Sequence, residues 1–156
     1  MGTKGFQHVL GKISNGVCII GAADNGKVNG MTAAWVSQVS FNPMLVAAAI
    51  GRERHTHKMI EKSGVFSISV LDEGQIDLAK HFGFKSGRDT DKFSDIAYET
   101  HSTACPVLKD CLAYLDCKVV GSYQAGDHTL FIAEILSCDT KKEAKPLTYL
   151  AKDYFG

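Results

Sequence analysis

Apolar positions along this chain fall mostly into short runs with strand character, separated by turn-forming residues. Such runs predict β-strands over residues 17–23, 28–41, 44–50, 65–71, 97–100, 112–123 and 129–138. Asn25-Gly26 between the first two runs predicts a tight hairpin, because a primed turn needs positive φ at both central residues. Asn42-Pro43 ends the second run, and the unbroken apolar run at 44–50 predicts a strand buried on both faces.

Apolar residues recur at helical spacing in three other segments, 4–13, 56–62 and 73–82. Thr56 is the predicted N-cap of the middle helix, and Ser63-Gly64 is its predicted stop. The strands outnumber the helices and follow one another as hairpins rather than as βαβ units. We therefore expect a mainly β protein, an antiparallel β-barrel with a few helices packed on it.

Composition narrows the classes of protein that the chain can represent. Its 156 residues show no repeat and no linker, so residues 1–156 are expected to form one domain with a substantial core. A hydrophobic fraction of 45% and zero net charge argue against disorder and against a nucleic-acid binder, which usually shows a basic excess. No apolar run approaches about 20 residues, and residues 1–14 lack a signal-peptide core, which predicts a cytoplasmic protein with no membrane span.

The cysteines do not form a recognisable metal or disulfide pattern. Five of them stand at positions 18, 105, 111, 117 and 138, and no pair has the CxxC spacing. A zinc site needs closely spaced ligands. Cys18, Cys117 and Cys138 lie in or beside apolar runs, where cysteine behaves as a small hydrophobe. We expect no metal site and no disulfide framework.

Familiar nucleotide-binding and hydrolase motifs can be set aside. Residues 21–28 nearly match GxxxxGK[ST], but Val28 offers no hydroxyl to a magnesium ion, and a P-loop needs a helix directly afterwards. The hairpin interpretation is therefore favoured. The chain contains neither GxGxxG nor GxSxG, so a Rossmann dinucleotide site and a serine hydrolase are both unsupported.

Three stretches are harder to explain as packing alone. Residues 29–34 place small side chains in a strand, which lets another backbone or a flat ligand approach closely. Residues 51–56 leave a buried strand and enter a helix, so their amides, arginines and hydroxyl suit a phosphate, with a solvated connector as the alternative. Residues 82–93 mix aromatic, glycine and basic residues and are either a ligand-binding or a surface loop. Trp35, the only tryptophan, is either a ligand contact or a core residue.

His128 stands between a turn at residues 125–127 and the apolar strand that begins at Thr129. One interpretation is that it caps the hairpin by bonding a nearby carbonyl. The other is that it faces a ligand, since an imidazole can donate a hydrogen bond or carry charge near neutral pH. The local pattern leaves both interpretations open.

Several motifs recur in a fixed order through most of the chain. They are Gly30-Met31-Thr32-Ala33 with Trp35, residues 39–43, Thr56-His57, residues 63–71, Phe82-Gly83, residues 104–108 and residues 126–131. Together they resemble the flavin reductase-like family with the FMN-binding split barrel. The segment FGFKSGRDTDKF at 82–93 is most similar to the branch of flavoredoxins, ferric reductases and flavin domains of rubredoxin-linked reductases.

The resemblance implies a homodimer that holds FMN without a covalent bond near the subunit interface. It implies that residues 29–35 line the isoalloxazine and ribityl chain, that 51–56 surround the phosphate, and that 82–86 close over the flavin. His128 is implied as the catalytic residue near the redox-active ring. The implied cofactor contacts are Asn29, Met31, Thr32, Ala33, Ala34, Trp35, Gly51, Arg52, His55, Thr56, Phe82, Gly83, Phe84, Ser86 and His128. Ala34 and Trp35 replace hydroxyl or amide residues of many relatives, so Trp35 is expected to pack on the flavin or at the dimer interface.

The implied function is electron transfer from NADH or NADPH, through FMN, to free flavin, ferric iron or a redox protein such as a rubredoxin. The mechanism would be hydride transfer from the nicotinamide to the flavin, with the chemistry belonging to the cofactor. The nicotinamide would stack in the remaining cleft, because the chain has no Rossmann site. Two alternatives remain: an FMN electron carrier reduced by a protein partner, and a ligand-binding barrel with no redox role.

Overall fold

The computed structural model of the protein describes residues 2–155. Its helices are α1 (Thr3–Leu10), α2 (His55–Ser63), α3 (Ile76–Phe84) and α4 (Lys152–Phe155). Its strands are β1 (Cys18–Asp24), β2 (Lys27–Ala33), β3 (Val36–Phe41), β4 (Met44–Gly51), β5 (Val65–Val70), β6 (Tyr98–Glu99), β7 (Val107–Leu108), β8 (Ala113–Ala125) and β9 (His128–Thr140). All strand pairs are antiparallel, so the predicted mainly β, antiparallel class is confirmed.

The large sheet has the order β2-β1-β5-β8-β9-β4-β3, so β2 and β3 are its edges. In the chain these edges are consecutive, joined only by Ala34 and Trp35. Six inter-strand steps of about 4.8 Å would hold the edges of a flat sheet roughly 29 Å apart. The three peptide units between Ala33 and Val36 span at most about 11 Å. The sheet therefore curls into a barrel. The single strand predicted over 28–41 is wrong, because the chain breaks there to pass from one edge to the other.

The predicted hairpin between β1 and β2 is confirmed. Asp24 pairs with Lys27, and Asn25 and Gly26 have φ values of 49° and 77°. Positive φ at both central residues is the geometry of a primed turn, whose twist matches that of the flanking strands. After the turn the chain continues in β2, paired with β1, and enters no helix, which excludes a P-loop at residues 21–28.

Alternate residues of β1 belong to two different parts of the core. Cys18 and Ile20 join alternate residues of β4, β5 and β9 in a cluster that fills the barrel. Ile19, together with Val17 just before β1, packs with α3 and with residues 93–111 in a second cluster outside the barrel. A strand covered on both faces reads as a continuous apolar run. The same expectation for 44–50 holds from Val46 to Ile50 but fails at the start of the run, where Met44 is 47% exposed.

The helices differ from their predicted bounds. α1 ends at Leu10 rather than at residue 13, and none of its residues is buried. α2 begins at His55 with Arg54 at the N-cap, so Thr56 is not the cap. The predicted stop is confirmed, since Gly64 follows α2 with φ of 70°. α3 begins and ends later in the chain than the predicted helix over 73–82. The reason is a turn at residues 72–75, in which the side-chain oxygen of Gln75 accepts a hydrogen bond from the backbone amide of Asp72.

Several strands also differ from their predicted bounds, and one of these differences affects the position of His128. The strand predicted over 97–100 is only the two-residue β6, paired with β7. β8 and β9 both extend beyond their predicted ranges toward the turn that joins them. His128 is therefore the first residue of β9 rather than a turn residue, and it pairs with Ala125 in β8 and with Gly51 in β4.

Candidate active site

A cavity of about 470 Å³ opens where β2, the turn between β4 and α2, the end of α3 and the start of β9 meet. Its size is within the range of small-molecule and cofactor sites. Its lining residues are Asn29, Met31, Thr32, Gly51, Arg52, Glu53, Arg54, His55, Thr56, Phe82, Gly83, Phe84, Lys85, Ser86, Gly87, Arg88, Lys92, Asp127 and His128.

A second cavity of about 280 Å³ adjoins the first and shares with it Met31, Thr32, Gly51, Arg54, Gly83, Phe84 and His128. Its other lining residues are Ala33, Ala34, Trp35, Ala49, Ala79, Tyr149, Tyr154 and Phe155. The two cavities therefore form a continuous cleft. One end is rich in arginine and lysine, and the other is lined by aromatic side chains.

Every residue predicted to contact the cofactor lines one or both of these cavities. The tertiary structure thus brings together segments from β2, β4, α2, α3 and β9 that are up to about a hundred residues apart in the chain. Contact with a flavin itself stays a prediction.

β2 contributes side chains whose polar groups are already used to join elements. Asn29 Nδ2 donates to Thr56 Oγ1 at 2.8 Å, which ties β2 to α2 in a buried position. Thr32 Oγ1 donates to the carbonyl of Ala79 at 2.5 Å, which ties β2 to α3. The small residue Gly30 does not leave space for a ligand, because a Cβ there would lie 3.0 Å from the ring of Phe82. At this position the small side chain serves packing between β2 and α3.

The turn between β4 and α2 presents backbone amides to the cleft. The amide of Arg52 donates to the carbonyl of Asp127, and the amide of Arg54 donates to the carbonyl of Gly51, both at 3.0 Å. These bonds fix the turn against the end of the β8–β9 hairpin. No side chain caps the N-terminus of α2, and the amide of His57 donates to the carbonyl of Arg54 at 3.2 Å. The amides of His55 and Thr56 are therefore the ones at this helix end that can bind an anion.

The same end of the cleft is strongly cationic. Arg52, Arg54, Lys85, Arg88 and Lys92 line it, against two acidic residues, Glu53 and Asp127. The guanidinium of Arg88 donates to the carbonyl of Glu53 at 2.8 Å, which joins the 85–91 loop to the turn before α2. Burial, together with nearby cations of which Arg88 is the largest contributor, lowers the pKa of His55. This arrangement suits a phosphate group.

His128 lies where the two cavities meet. Its Nδ1 is 2.6 Å from Oδ1 of Asp127, and its ring centroid is 4.8 Å from that of Trp35. The hydrogen bond from His128 lowers the pKa of Asp127, so the carboxylate is charged at neutral pH. The capping interpretation, in which His128 bonds a carbonyl, is not what the structure shows. The contact with Asp127 leaves Nε2 as the ring nitrogen available to a ligand.

The aromatic end of the cleft includes residues that the sequence did not single out. Trp35 is 57% exposed, so it is not a core residue. The same cavity is lined by Phe84, Tyr154 and Phe155, and the ring centroid of Phe84 lies 6.4 Å from that of Tyr154 and 6.0 Å from that of Phe155. The last two come from α4, at the end of the described chain. Because Tyr154 and Phe155 are far along the chain from the other lining residues, no local sequence pattern indicated that they would lie near them.

The lining residues outside the predicted segments are Gly87, Arg88, Lys92 and Asp127, whereas Glu53, Arg54 and Lys85 lie within the predicted ranges 51–56 and 82–86 but were not among the individual contacts. The basic and glycine-rich composition of 82–93 was a signal for most of them. Gly87 packs directly against Asn29, since a Cβ at this position would overlap the Asn29 amide. Asp127 precedes His128 in the sequence, but only the geometry of the turn shows that its carboxylate is the hydrogen-bond partner of the His128 ring.

Two features are absent from residues 2–155. No group of three or more histidine, cysteine, aspartate or glutamate side chains among them is arranged to hold a metal ion. No helix among them has the length and hydropathy needed to cross a membrane. All five cysteines are free, and burial raises the pKa of Cys18 and of Cys117 to about 12, as expected for thiols that pack as small apolar groups.

Comparison with known proteins identifies the family. The profile of the flavin reductase like domain matches residues 10–156. The chain belongs to the flavin reductase-like family. A ferric-chelate reductase (NAD(P)H) from Archaeoglobus fulgidus is 34% identical to this flavin reductase-like chain over 140 residues, which are 88% of the chain and 83% of that relative. A relative from Moorella thermoacetica named high molecular weight rubredoxin is 35% identical over 142 residues, which are 90% of the chain and 62% of that relative.

Among solved structures, flavin reductase PheA2 in its native state superimposes on the flavin reductase-like chain with a TM-score of 0.86 and 34% identity, covering 97% of this chain and 95% of that one. The resemblance inferred from the ordered motifs is therefore confirmed. So is the predicted class, a flavin-linked oxidoreductase.

Proposed function

We propose that the protein binds FMN in the two adjoining cavities and transfers electrons from NADH or NADPH to an acceptor. The observation that carries the proposal is the polarity of the cleft, which is cationic at one end and aromatic at the other. FMN has a matching polarity, with a phosphate at one end of a ribityl chain and a flat aromatic ring at the other.

In this arrangement the phosphate lies against the amides of α2 and the cations of the first cavity. The ring lies toward Met31, Trp35 and His128, with Phe84 beside it. When bound, the flavin supplies the redox chemistry, and the protein supplies orientation and access. His128 Nε2 donates a hydrogen bond or positive charge to the reacting end of the cleft, while Asp127 holds the imidazole in place.

The nicotinamide is proposed to enter the second cavity, between Trp35 and the aromatic residues of α4. Aromatic side chains around this space favour a flat ring as its occupant. The acceptor is proposed to be free flavin, ferric iron or a separate redox protein. The cytoplasmic location expected from the sequence stays a prediction.

A homodimer is also proposed. The apolar stripe of α1 and the nearby segment after it, Phe6, Val9, Leu10 and Ile13, is exposed, and Phe41 at the end of β3 is 83% exposed. Single exposed apolar residues are common, but an amphipathic helix with none of its residues buried lacks a partner for its apolar face. A second copy of this chain supplies that partner in the proposal.

The first test is a visible spectrum of the purified protein after addition of FMN and removal of the excess, followed by NADH and then NADPH under nitrogen. Retained flavin absorbance that bleaches with either nucleotide is the expected result. Retained absorbance that persists with both nucleotides would favour a carrier reduced by a protein partner. If no flavin is retained and none binds at equilibrium, the barrel has another ligand and the proposal fails.

A further inference from the structure

Lys92 is a buried cation with an incomplete set of partners. Only 4% of its surface is exposed. Its Nζ donates to the carbonyl oxygens of Gly30 at 2.8 Å and Phe82 at 2.9 Å. None of the ion pairs within residues 2–155 provides it with a carboxylate. An ammonium group has three donors, so one donor and a full charge remain for a further group.

The two carbonyls belong to elements that both line the first cavity. Gly30 is in β2, and Phe82 is in the last turn of α3. Carbonyls in the last turn of a helix lack intrahelical donors and form the negative end of the helix dipole. Lys92 therefore caps α3 and joins it to β2, and the residue is part of the lining of the first cavity.

The electrostatic surroundings of Lys92 are dominated by like charge. Burial and the nearby Arg54 lower the pKa of Lys92 to about 8. Lys92 is in turn one of the cations that lower the pKa of His55. The charged and titratable groups of the surrounding elements are Arg54 and His55 at the start of α2, His81 and Lys85 from α3 and its end, and Arg88 and Asp91 from the following loop. The acidic side chains in the same cavity are Glu53 and Asp127, so cations remain in excess. Such a cluster is stabilised by an anion.

We propose that Lys92 is a positioning residue that couples proton uptake to the binding of a phosphate-bearing flavin. This inference rests on the proposed function and adds to it a linkage between pH and affinity. A phosphate in the cavity favours the charged ammonium, which in turn keeps Gly30 and Phe82 in place. Binding therefore takes up protons at any pH at which the free protein has partly lost this proton. Affinity for FMN then falls as the pH rises above about 8.

Calorimetric titration of FMN into the protein at pH 8, in two buffers of different ionisation enthalpy, measures the proton uptake. We expect uptake of roughly half a proton, because a group titrating near pH 8 is half charged there and fully charged when bound. The phosphate of FMN is already a dianion at this pH, since its second pKa is about 6. Riboflavin, which has no phosphate, should bind without this uptake.

Variants assign the uptake to Lys92. Lys92→Gln should abolish it and lower FMN affinity by about ten-fold or more, as for a lost hydrogen bond to a charged group. Lys92→Arg should retain binding without the decline above pH 8, because a guanidinium does not lose its proton. Lys58→Gln removes an exposed cation of α2 that lies outside both cavities, and it should behave as wild type. Undiminished proton uptake in Lys92→Gln would overturn the inference.

A measurement without ligand separates this inference from the proposed function. In the ligand-free protein the folded pKa of Lys92 is below its ordinary value of 10.5, so the unfolded state binds more protons between those two values. Relative to Lys92→Met, the wild type should therefore gain stability toward urea from pH 7 to pH 10. A constant difference would show that Lys92 does not titrate there and would overturn the coupling. FMN binding without proton uptake also rejects the coupling, whereas no FMN binding at pH 7 rejects the proposed function and the coupling with it.

Discussion

At the scale of single residues, the site depends on where a strand begins. His128 would be a turn residue if β9 began one residue later. As the first residue of β9 it pairs with Gly51, which places its ring beside Trp35 and at the junction of the two cavities. The imidazole lies close to this glycine, since a Cβ at Gly51 would be in ordinary van der Waals contact with Nε2, at 3.9 Å.

Replacing His128 with alanine should slow reduction of bound flavin by NADH or NADPH about ten-fold to a hundred-fold, the effect of losing one charge-assisted hydrogen bond. FMN affinity should change little, because the phosphate end of the cleft is untouched. Stopped-flow absorbance measures the reduction, and fluorescence titration measures the affinity. His101→Ala, at a histidine that lines neither cavity, is the matched control. Reduction at the wild-type rate in His128→Ala would remove the catalytic role.

At the scale of elements, polar side chains on β2 hold the helices that shape the cleft. Asn29 bonds Thr56 of α2, and Thr32 bonds Ala79 of α3. Asn29 and Thr32 are both among the predicted cofactor contacts, yet in the structure their side chains form hydrogen bonds to neighbouring helices. Their contribution to a ligand site is to fix the spacing of its walls.

The hydrogen bond between Asn29 and Thr56 can be measured as an interaction free energy in a double-mutant cycle. Thr56→Val removes the acceptor and leaves a buried amide donor unpaired, which should lower the free energy of unfolding by about 1–3 kcal/mol. Asn29→Ala removes the donor. Because the two groups contact each other, the double variant should lose less stability than the sum of the single variants. Urea denaturation of all four proteins measures this. Thr140→Val, an exposed threonine at the end of β9, is the control, and strictly additive losses would show that no bond is made.

At the scale of the whole molecule, the described chain leaves its N-terminal helix unburied. The apolar side of α1 contacts no core cluster, and Phe6 is 55% exposed. The proposed homodimer explains this surface. It also predicts that substitutions on the apolar side of α1 weaken dimer formation more than they lower the stability of the barrel.

Phe6→Glu combined with Leu10→Glu should weaken the dimer at least about ten-fold, because it places two charges in a buried apolar contact. Thermal unfolding of the remaining monomer should still be cooperative, since α1 contributes no buried residue. Sedimentation velocity over a range of concentrations measures the assembly. Gln7→Glu adds one charge on the same helix at an exposed polar position and should leave assembly intact. A wild-type protein that sediments as a monomer at all concentrations would contradict the homodimer.

The sequence by itself determined the local elements and the family. Alternating apolar runs indicated the strands, and Asn25-Gly26 indicated the first hairpin, because side-chain alternation and positive φ are local properties of the backbone. The ordered motifs indicated the flavin reductase-like family and the segments that line the cleft. Helix and strand ends were less certain, as Thr56 and the break at Ala34-Trp35 show, because caps and edge changes depend on what packs nearby.

Only the tertiary structure decided which residues share the cleft and which of their polar groups remain free. Barrel closure brings β2 and the start of β9 to the same cleft, and α4 adds Tyr154 and Phe155 to the cavity that Trp35 also lines. Burial, followed by the charge of Arg54, lowers the pKa of Lys92, while its ammonium donates to the carbonyls of Gly30 and Phe82. Arg54 and Gly30 are both distant from Lys92 in the chain. Desolvation and charge–charge interaction depend on distances in space, and these distances follow from the fold.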